Sequence, residues 1–340
     1  MSDAAADQLK SLLRPQEAAR VQSLRIADGR VTLVLDAAGL DAAGRSAAEA
    51  EVVRALSAAP GVSDVRVAMT ADKMAADKAP DAMPRAAASA PRQRIIAVGS
   101  GKGGVGKSTL AANLAVALAR AGRKVGLVDA DIYGPSQARI MGTEGLRPVA
   151  HDSRLVPVAS PWGVPVLSMA HLSEPGQAIA WRGPMAAGAL TRLLEGHWDD
   201  AEIIVVDLPP GTGDIQLTML QKFKPAGAVI VSTPQDLALM DAARANALFE
   251  KGGVPVIGVV ENMAGYICPH CGEASDPFGI GGAEAAAKDM GAPFLGRIPL
   301  DITIRREGDA GQPTAAGDGP QSAAFADLAR KLGEWLDGSA

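Results

Sequence analysis

Gly99-Ser-Gly-Lys-Gly-Gly-Val-Gly-Lys-Ser-Thr109 decides how the rest of this chain is read. A short apolar run, Ile95-Ile96-Ala97-Val98, precedes it, and an alanine- and leucine-rich segment with helical spacing follows. That order is strand, glycine loop, helix. Within it, Gly101 to Ser108 satisfies the phosphate-loop pattern of Gly, four residues, Gly-Lys-Ser/Thr. Gly101, Gly103, Gly104 and Gly106 let the backbone N–H groups of the loop, including those of Val105 and Thr109, converge on phosphate oxygens, and the following helix turns its positive end to the same charge. Lys107 is placed to neutralise the β and γ phosphates, and the Ser108 hydroxyl to reach Mg²⁺. A plain glycine-rich turn would not require the flanking strand and helix. Lys102 adds a second lysine where the pattern leaves the residue free.

The 340-residue length suits two domains, or one large α/β domain with an appendage. A hydrophobic content of 48% supplies an ample core, but with aromatics at 3% its packing must rest on Ala, Val, Leu and Ile. The net charge of −5 speaks against a nucleic-acid partner, which calls for a basic face. No apolar run approaches the roughly 18 residues that span a bilayer. The start, Met-Ser-Asp-Ala-Ala-Ala-Asp, has neither a basic nor an apolar leader region, so a cytoplasmic protein without membrane contact is expected. The two cysteines, Cys268 and Cys271, form one Cys-x-x-Cys. In a reducing compartment that pair points to metal or redox chemistry rather than to a structural disulfide.

Residues 1–70 carry their own pattern. We expect a helix from Asp7 to Ala18, strands from Val21 to Ala27 and Arg30 to Asp36 joined by Asp28-Gly29, a helix from Ala47 to Ala58, and a strand from Val62 to Met69. This αββαβ order predicts a small α+β domain and resembles the MIP18-type domain of iron–sulfur assembly proteins. That family commonly carries a cysteine between the second strand and second helix, whereas Asp36 to Gly44 contains none. A docking or structural role is therefore expected of this unit. Residues 71–92 shift to Ala, Lys, Asp, Met and Pro without periodicity and read as a flexible linker.

From residue 93 to 340 short apolar runs alternate with helical patterns. Strands are expected at Ile95–Val98, Lys124–Val128, Val164–Ser168, Ile203–Val206, Ala228–Ser232, Val254–Val260 and Phe294–Ile298. Helices are expected at Lys107–Ala121, Pro184–Glu195, Leu237–Lys251 and Gly281–Met290. Runs this continuously apolar are buried on both faces, so the fold class is α/β, a doubly wound, mostly parallel sheet preceded by the small α+β domain. Its ligand belongs at the carboxyl ends of the strands.

The remaining polar motifs fall at those ends. Asp129-Ala-Asp131-Ile-Tyr-Gly-Pro-Ser follows the second strand, and two carboxylates there suit a phosphate site, although turn aspartates are also common after strands. Ile203-Ile-Val-Val-Asp207 is a Walker B strand, whose carboxylate holds Mg²⁺ through a water, and Leu-Pro-Pro-Gly211-Thr-Gly-Asp follows it. Val259-Val-Glu-Asn262-Met closes a later strand. Beyond it, an insertion at residues 265–282 carries Cys268-Pro-His-Cys271. Two thiolates do not complete a four-cysteine site, but a symmetric dimer supplies four, which suits a bridging [4Fe–4S] cluster or a zinc ion equally. His270 reads as a spacer, because adjacent residues in such a turn point apart. The pair does not open a helix after a βαβ strand, which disfavours a thioredoxin-like redox role.

Lys102-Gly-Gly-Val-Gly-Lys-Ser108 resembles the deviant phosphate loop of the MinD/ParA and nitrogenase iron-protein superfamily. The three motifs in order, namely the two-lysine loop, Asp-Ala-Asp-Ile-Tyr-Gly-Pro-Ser and Cys-Pro-His-Cys after Glu-Asn-Met, resemble the Mrp-type, or ApbC-type, iron–sulfur cluster carrier ATPases over nearly all of residues 94–335. The resemblance implies that Lys102 crosses a dimer interface to the partner's nucleotide. It also implies that Asp131 orients the attacking water, that Asp129 supports Mg²⁺, that the Gly211 amide lies near the γ-phosphate and that Asn262 reads the purine. Ile298-Pro299-Leu-Asp301 then forms the wall of the base pocket. The function implied is a homodimer that binds ATP, Mg²⁺ and a [4Fe–4S] cluster, accepts the cluster from an upstream donor and passes it to apo-proteins with ATP hydrolysis. Two other readings stand beside it. A positioning ATPase of the MinD/ParA kind needs a membrane helix or a DNA-binding face, and Phe325 to Leu336 instead pairs an apolar stripe with a mixed-charge face suited to docking on the core. A zinc-stapled, nucleotide-switched adaptor needs no cluster.

Overall fold

The computed structural model describes residues 9–27, 30–36, 40, 42–60, 62, 64–70, 93–172, 183–198 and 200–339. The chain divides into two compact units, residues 1–87 and 88–340. The expected turn at Asp28-Gly29 and the expected linker at 71–92 lie outside the described residues.

In the first unit a helix at Pro15–Arg20 leads into β1 (Val21–Ala27), β2 (Arg30–Asp36), a helix at Ala42–Ser57 and β3 (Asp64–Thr70). The expected continuous helix from Asp7 to Ala18 is not formed over its described part. Proline lacks an N–H and forces the preceding residue out of helical geometry, so Arg14 sits at φ −62°, ψ 152° and a new helix starts with Pro15 in its first turn. The second helix begins five residues before the expected Ala47. β1 pairs antiparallel with β2, and β2 pairs parallel with β3. Alternation along β2 buries Val31, Leu33 and Leu35, which pack with Leu13, Val52 and Leu56.

The second unit is built on seven strands: β4 (Arg94–Gly99), β5 (Val125–Asp129), β8 (Val166–Ser168), β9 (Ile203–Asp207), β10 (Gly227–Ser232), β11 (Val256–Asn262) and β14 (Phe294–Ile298). Two-residue strands make up the hairpins β6 (Ala150–His151) with β7 (Arg154–Leu155), and β12 (Tyr266–Ile267) with β13 (Ala274–Ser275). The large sheet runs β14-β11-β10-β4-β9-β5-β8, and every neighbouring pair is parallel. Each residue of β5, β9 and β10 is buried, as strands covered on both faces must be. From β4 the chain winds to one edge through β5 and β8, returns through β9, then crosses to β10, β11 and β14 on the other side. That reversal around β4 is the switch point where an open α/β sheet binds its ligand.

One face of the sheet carries the helix Lys107–Arg120 and the C-terminal helix Pro320–Gly338. Phe325, Leu328, Leu332 and Leu336 of the latter are buried there, so its apolar stripe docks on the core. Helices Gly183–Leu194 and Asp236–Lys251 cover the other face. Three α-helices among the described residues were not anticipated. Gln137–Ile140 and Asp214–Thr218 are only four and five residues long, and Ile302–Asp309 reads Ile-Thr-Ile-Arg-Arg-Glu-Gly-Asp, too polar for a clear apolar stripe. Asp301 caps the latter by accepting the Thr303 N–H at 2.7 Å.

Candidate nucleotide site and cysteine hairpin

The phosphate loop leaves β4 and enters the helix at Lys107 with backbone that only glycine tolerates. Gly104 and Gly106 have φ of +80° and +85°. A Cβ on Gly106 would stand 2.0 Å from Asn262 Nδ2, and one on Gly101 would stand 2.0 Å from the backbone of Asp241. Close approach of other chain segments therefore fixes both positions as glycine.

Register in the sheet brings the acidic residues to the loop. Asp129 and Asp207 end β5 and β9 as direct partners across the two strands, and Val98 on β4 pairs with Asp207. Lys107, only 6% exposed, forms an ion pair with Asp207 Oδ1 and lies 4.0 Å from Asp131 Oδ2. Asp129 Oδ1 accepts the Asp131 N–H at 3.1 Å, and its Oδ2 accepts the Gln137 N–H at 3.0 Å and the Ser168 hydroxyl at 2.8 Å. Burial and the neighbouring Asp207 charge outweigh these donors and push the Asp129 carboxyl up to about 7. Asp131 Oδ1 accepts the N–H groups of Tyr133 at 3.0 Å and Gly134 at 3.2 Å, which shapes the turn after β5. Gly211 donates its N–H to the Ser100 carbonyl at 2.9 Å, so its amide is engaged by the loop that it was expected to assist.

Asn262 donates to the Val105 carbonyl at 2.8 Å and thereby ties the end of β11 to the phosphate loop. A cavity of about 430 Å³ opens beside it, bounded by Gly106, Ser108, Thr109, Asn262, Met263 and Pro299 among others. The structure thus brings the base-pocket candidates Asn262 and Pro299 next to the loop. Ser108, Asp129 and Asp207 offer an all-oxygen donor set of the kind a hard ion such as Mg²⁺ takes. Lys102 is half-buried at the loop, and among the described residues its ammonium makes no hydrogen bond or ion pair.

Cys268 and Cys271 sit in the turn of the β12–β13 hairpin, a few residues past the carboxyl end of β11. The hairpin closes through Cys268 N–H to Glu273 O at 2.9 Å and Gly272 N–H to Cys268 O at 2.8 Å. Backbone N–H groups of Cys271 and His270 point at the Cys268 sulfur and hold its thiol below the usual range. Cys268 is half-buried and Cys271 exposed. Among the described residues, no third His, Cys, Asp or Glu joins them in a metal-ready group.

Three residues of this region were not identified from sequence. Gln137 donates through Nε2 to Asp207 Oδ2 at 2.8 Å and to the Ser108 carbonyl at 2.9 Å. Ser168 holds Asp129. Glu261, fully buried, accepts the N–H groups of Gly281 at 3.0 Å and Ala283 at 2.8 Å and the Arg297 Nε–H at 2.9 Å, which pins the far end of the cysteine-bearing segment to β11. Its position next to Asn262 was the one available signal.

The profile of the NUBPL iron-transfer P-loop NTPase family matches residues 92–333. An iron–sulfur cluster carrier protein of Pseudomonas fragi is 51% identical over 249 residues, which make up 72% of this chain and 86% of that protein. Among solved structures, a nucleotide-binding protein of Archaeoglobus fulgidus in complex with ADP is 40% identical with a TM-score of 0.59, covering 67% of this chain and 89% of that one. The cell division ATPase MinD of Pyrococcus furiosus is 26% identical with a TM-score of 0.55, covering 71% and 99% respectively.

Proposed function

The chain belongs to the NUBPL iron-transfer P-loop NTPase family, and from that premise we propose that it is an ATP-dependent carrier of iron–sulfur clusters. Its cargo is a [4Fe–4S] cluster held between Cys268 and Cys271 of one copy and the same pair of a second, received from an upstream donor and passed to apo-proteins. The observation that carries this reading is the cysteine hairpin. Two N–H groups aimed at one sulfur favour a thiolate, the second thiol is exposed, and the described residues offer no third ligand nearby. Such a half-site is completed by a symmetry mate, since clusters of this kind take four thiolates.

Nucleotide chemistry follows from the loop. On ATP binding Lys107 leaves Asp207 for the β and γ phosphates, which carry more charge than one carboxylate. Ser108, Asp129 and Asp207 would hold Mg²⁺, which when bound neutralises phosphate charge. Asp131, positioned by the Tyr133 and Gly134 amides, orients the attacking water, and Gly211 follows the γ-phosphate once it releases Ser100. Asn262 and Pro299 meet the base. Lys102 is available to reach the nucleotide of a second copy, and nucleotide binding thereby promotes the dimer that the shared cluster requires. Among the described residues no helix is long and apolar enough to cross a membrane.

Anaerobic reconstitution with iron and sulfide tests the carrier reading. A brown dimer with one cluster per two chains is expected, and Cys268→Ala is expected to stay colourless. Purified protein that holds one zinc ion per two chains and takes up no cluster under these conditions would support the zinc-stapled adaptor instead and end the carrier reading.

A further inference from the structure

Gln137 is fully buried, yet it lies among the nucleotide-site carboxylates rather than in the apolar core. Its backbone N–H holds Asp129 Oδ2 at 3.0 Å, and its side-chain Nε2 is shared between Ser108 O at 2.9 Å and Asp207 Oδ2 at 2.8 Å. These contacts fix which way the amide faces, because the reverse orientation would set its oxygen against two acceptors. Oε1 is then buried with no hydrogen-bond partner, and so is the hydroxyl of the adjacent Ser136, a residue that borders the nucleotide cavity. A buried acceptor without a donor carries a desolvation penalty that a folded chain rarely leaves unmet outside functional sites.

Asp207 shows why a second partner matters. Lys107 occupies its Oδ1 and Gln137 its Oδ2. When the lysine turns to a phosphate, the fully buried carboxylate loses its cation, and stripping one partner from a buried charge is strongly unfavourable. Gln137 cannot follow the lysine, since its backbone is bound to Asp129 and its side chain to the Ser108 carbonyl. We propose that Gln137 is a positioning residue for the Mg²⁺–nucleotide complex. Its amide N–H groups keep Asp207 and the Ser108 backbone in register after Lys107 departs, and its Oε1 accepts a hydrogen bond from a donor that arrives with the hydrated ion. In this arrangement one residue after the Asp-Ile-Tyr-Gly-Pro-Ser motif links the phosphate loop to the Asp129 and Asp207 carboxylates. The inference rests on the nucleotide reading given above.

The test is calorimetric titration of the full chain with ADP, in EDTA and across a Mg²⁺ series, for the wild type, Gln137→Met and Gln137→Leu. Both replacements are uncharged and remove the amide; methionine keeps the length, and leucine is shorter and fits with less strain. In both variants the Mg²⁺ affinity of the ADP complex should fall about 10- to 100-fold, the range found when residues supporting metal ligands are removed, and the affinity for ADP in EDTA should fall by clearly less. If one variant fails to fold, by the absence of a cooperative thermal transition, the other decides. Wild-type Mg²⁺ affinity in a folded variant overturns the proposal. So does an equal loss of ADP affinity with and without Mg²⁺, which marks a merely structural role. Wild-type protein that binds no ADP at all would overturn the nucleotide reading first, and this inference with it.

Discussion

Glu261 accepts the backbone N–H of Ala283 at 2.8 Å, so the residue beside the base-pocket candidate Asn262 also holds the end of the segment that carries Cys268 and Cys271. Glu261→Ala leaves the N–H groups of Gly281 and Ala283 without their acceptor, and leaves the partly exposed Arg297 with Glu284 and water. A loss of about 2–3 kcal/mol is expected from urea unfolding. Glu261→Gln, which keeps an acceptor oxygen and loses the charge, should lose less. An alanine variant as stable as the wild type would show that the segment is held by other contacts.

Gly106→Ala sets a methyl group against Asn262 Nδ2 and asks an L-residue to adopt φ near +85°. The backbone penalty alone is about 1–2 kcal/mol. The larger consequence is for Asn262, which must leave the Val105 carbonyl and with it the mouth of the cavity. At ADP concentrations a hundredfold above its dissociation constant, wild-type protein gains about 2.7 kcal/mol. The variant should show no thermal shift at the same concentration, and a wild-type shift would contradict the close packing of loop and strand.

Lys102→Ala should separate nucleotide binding from dimerisation. Because the Lys102 ammonium has no partner among the described residues, its removal leaves the single chain intact. The expected result is ATP affinity within a few-fold of wild type together with loss of the ATP-dependent dimer in sedimentation velocity. A dimer that persists with ATP would remove Lys102 from the interface.

Cys268 should react as a thiolate at lower pH than a free cysteine. In a Cys271→Ser variant the backbone donors at His270 and at position 271 remain, so the rate of alkylation by iodoacetamide should rise with a midpoint below the ordinary thiol value of about 8.5. A midpoint at or above that value would mean that the N–H groups do not reach the sulfur in solution.

The helix expected across Asp7 to Ala18 shows how local reading goes wrong: its composition favours a helix, but one proline, Pro15, resets the backbone at Arg14 and divides it. The chain's short motifs show where local reading succeeds. Phosphate binding needs consecutive amides and a lysine within one turn, and a Cys-x-x-Cys needs two thiols on one hairpin, so both kinds of chemistry are written in contiguous residues and were legible directly. The parallel sheet was legible for a similar reason, since strands buried on both faces must be apolar throughout.

Gln137, Ser168 and Glu261 belong to the other kind. Their partners lie 70, 39 and 22 residues away at Asp207, Asp129 and Ala283, and apart from the place of Glu261 beside Asn262 their immediate neighbours give no signal of a role. The amino-acid order by itself determined the phosphate loop, the layered α/β class and the paired thiols. Only the tertiary structure decided which buried groups hold the Asp129 and Asp207 carboxylates and the cysteine segment in place. In a parallel sheet each crossover carries the chain away and back, and it is strand register, not sequence distance, that sets which side chains meet at the carboxyl ends.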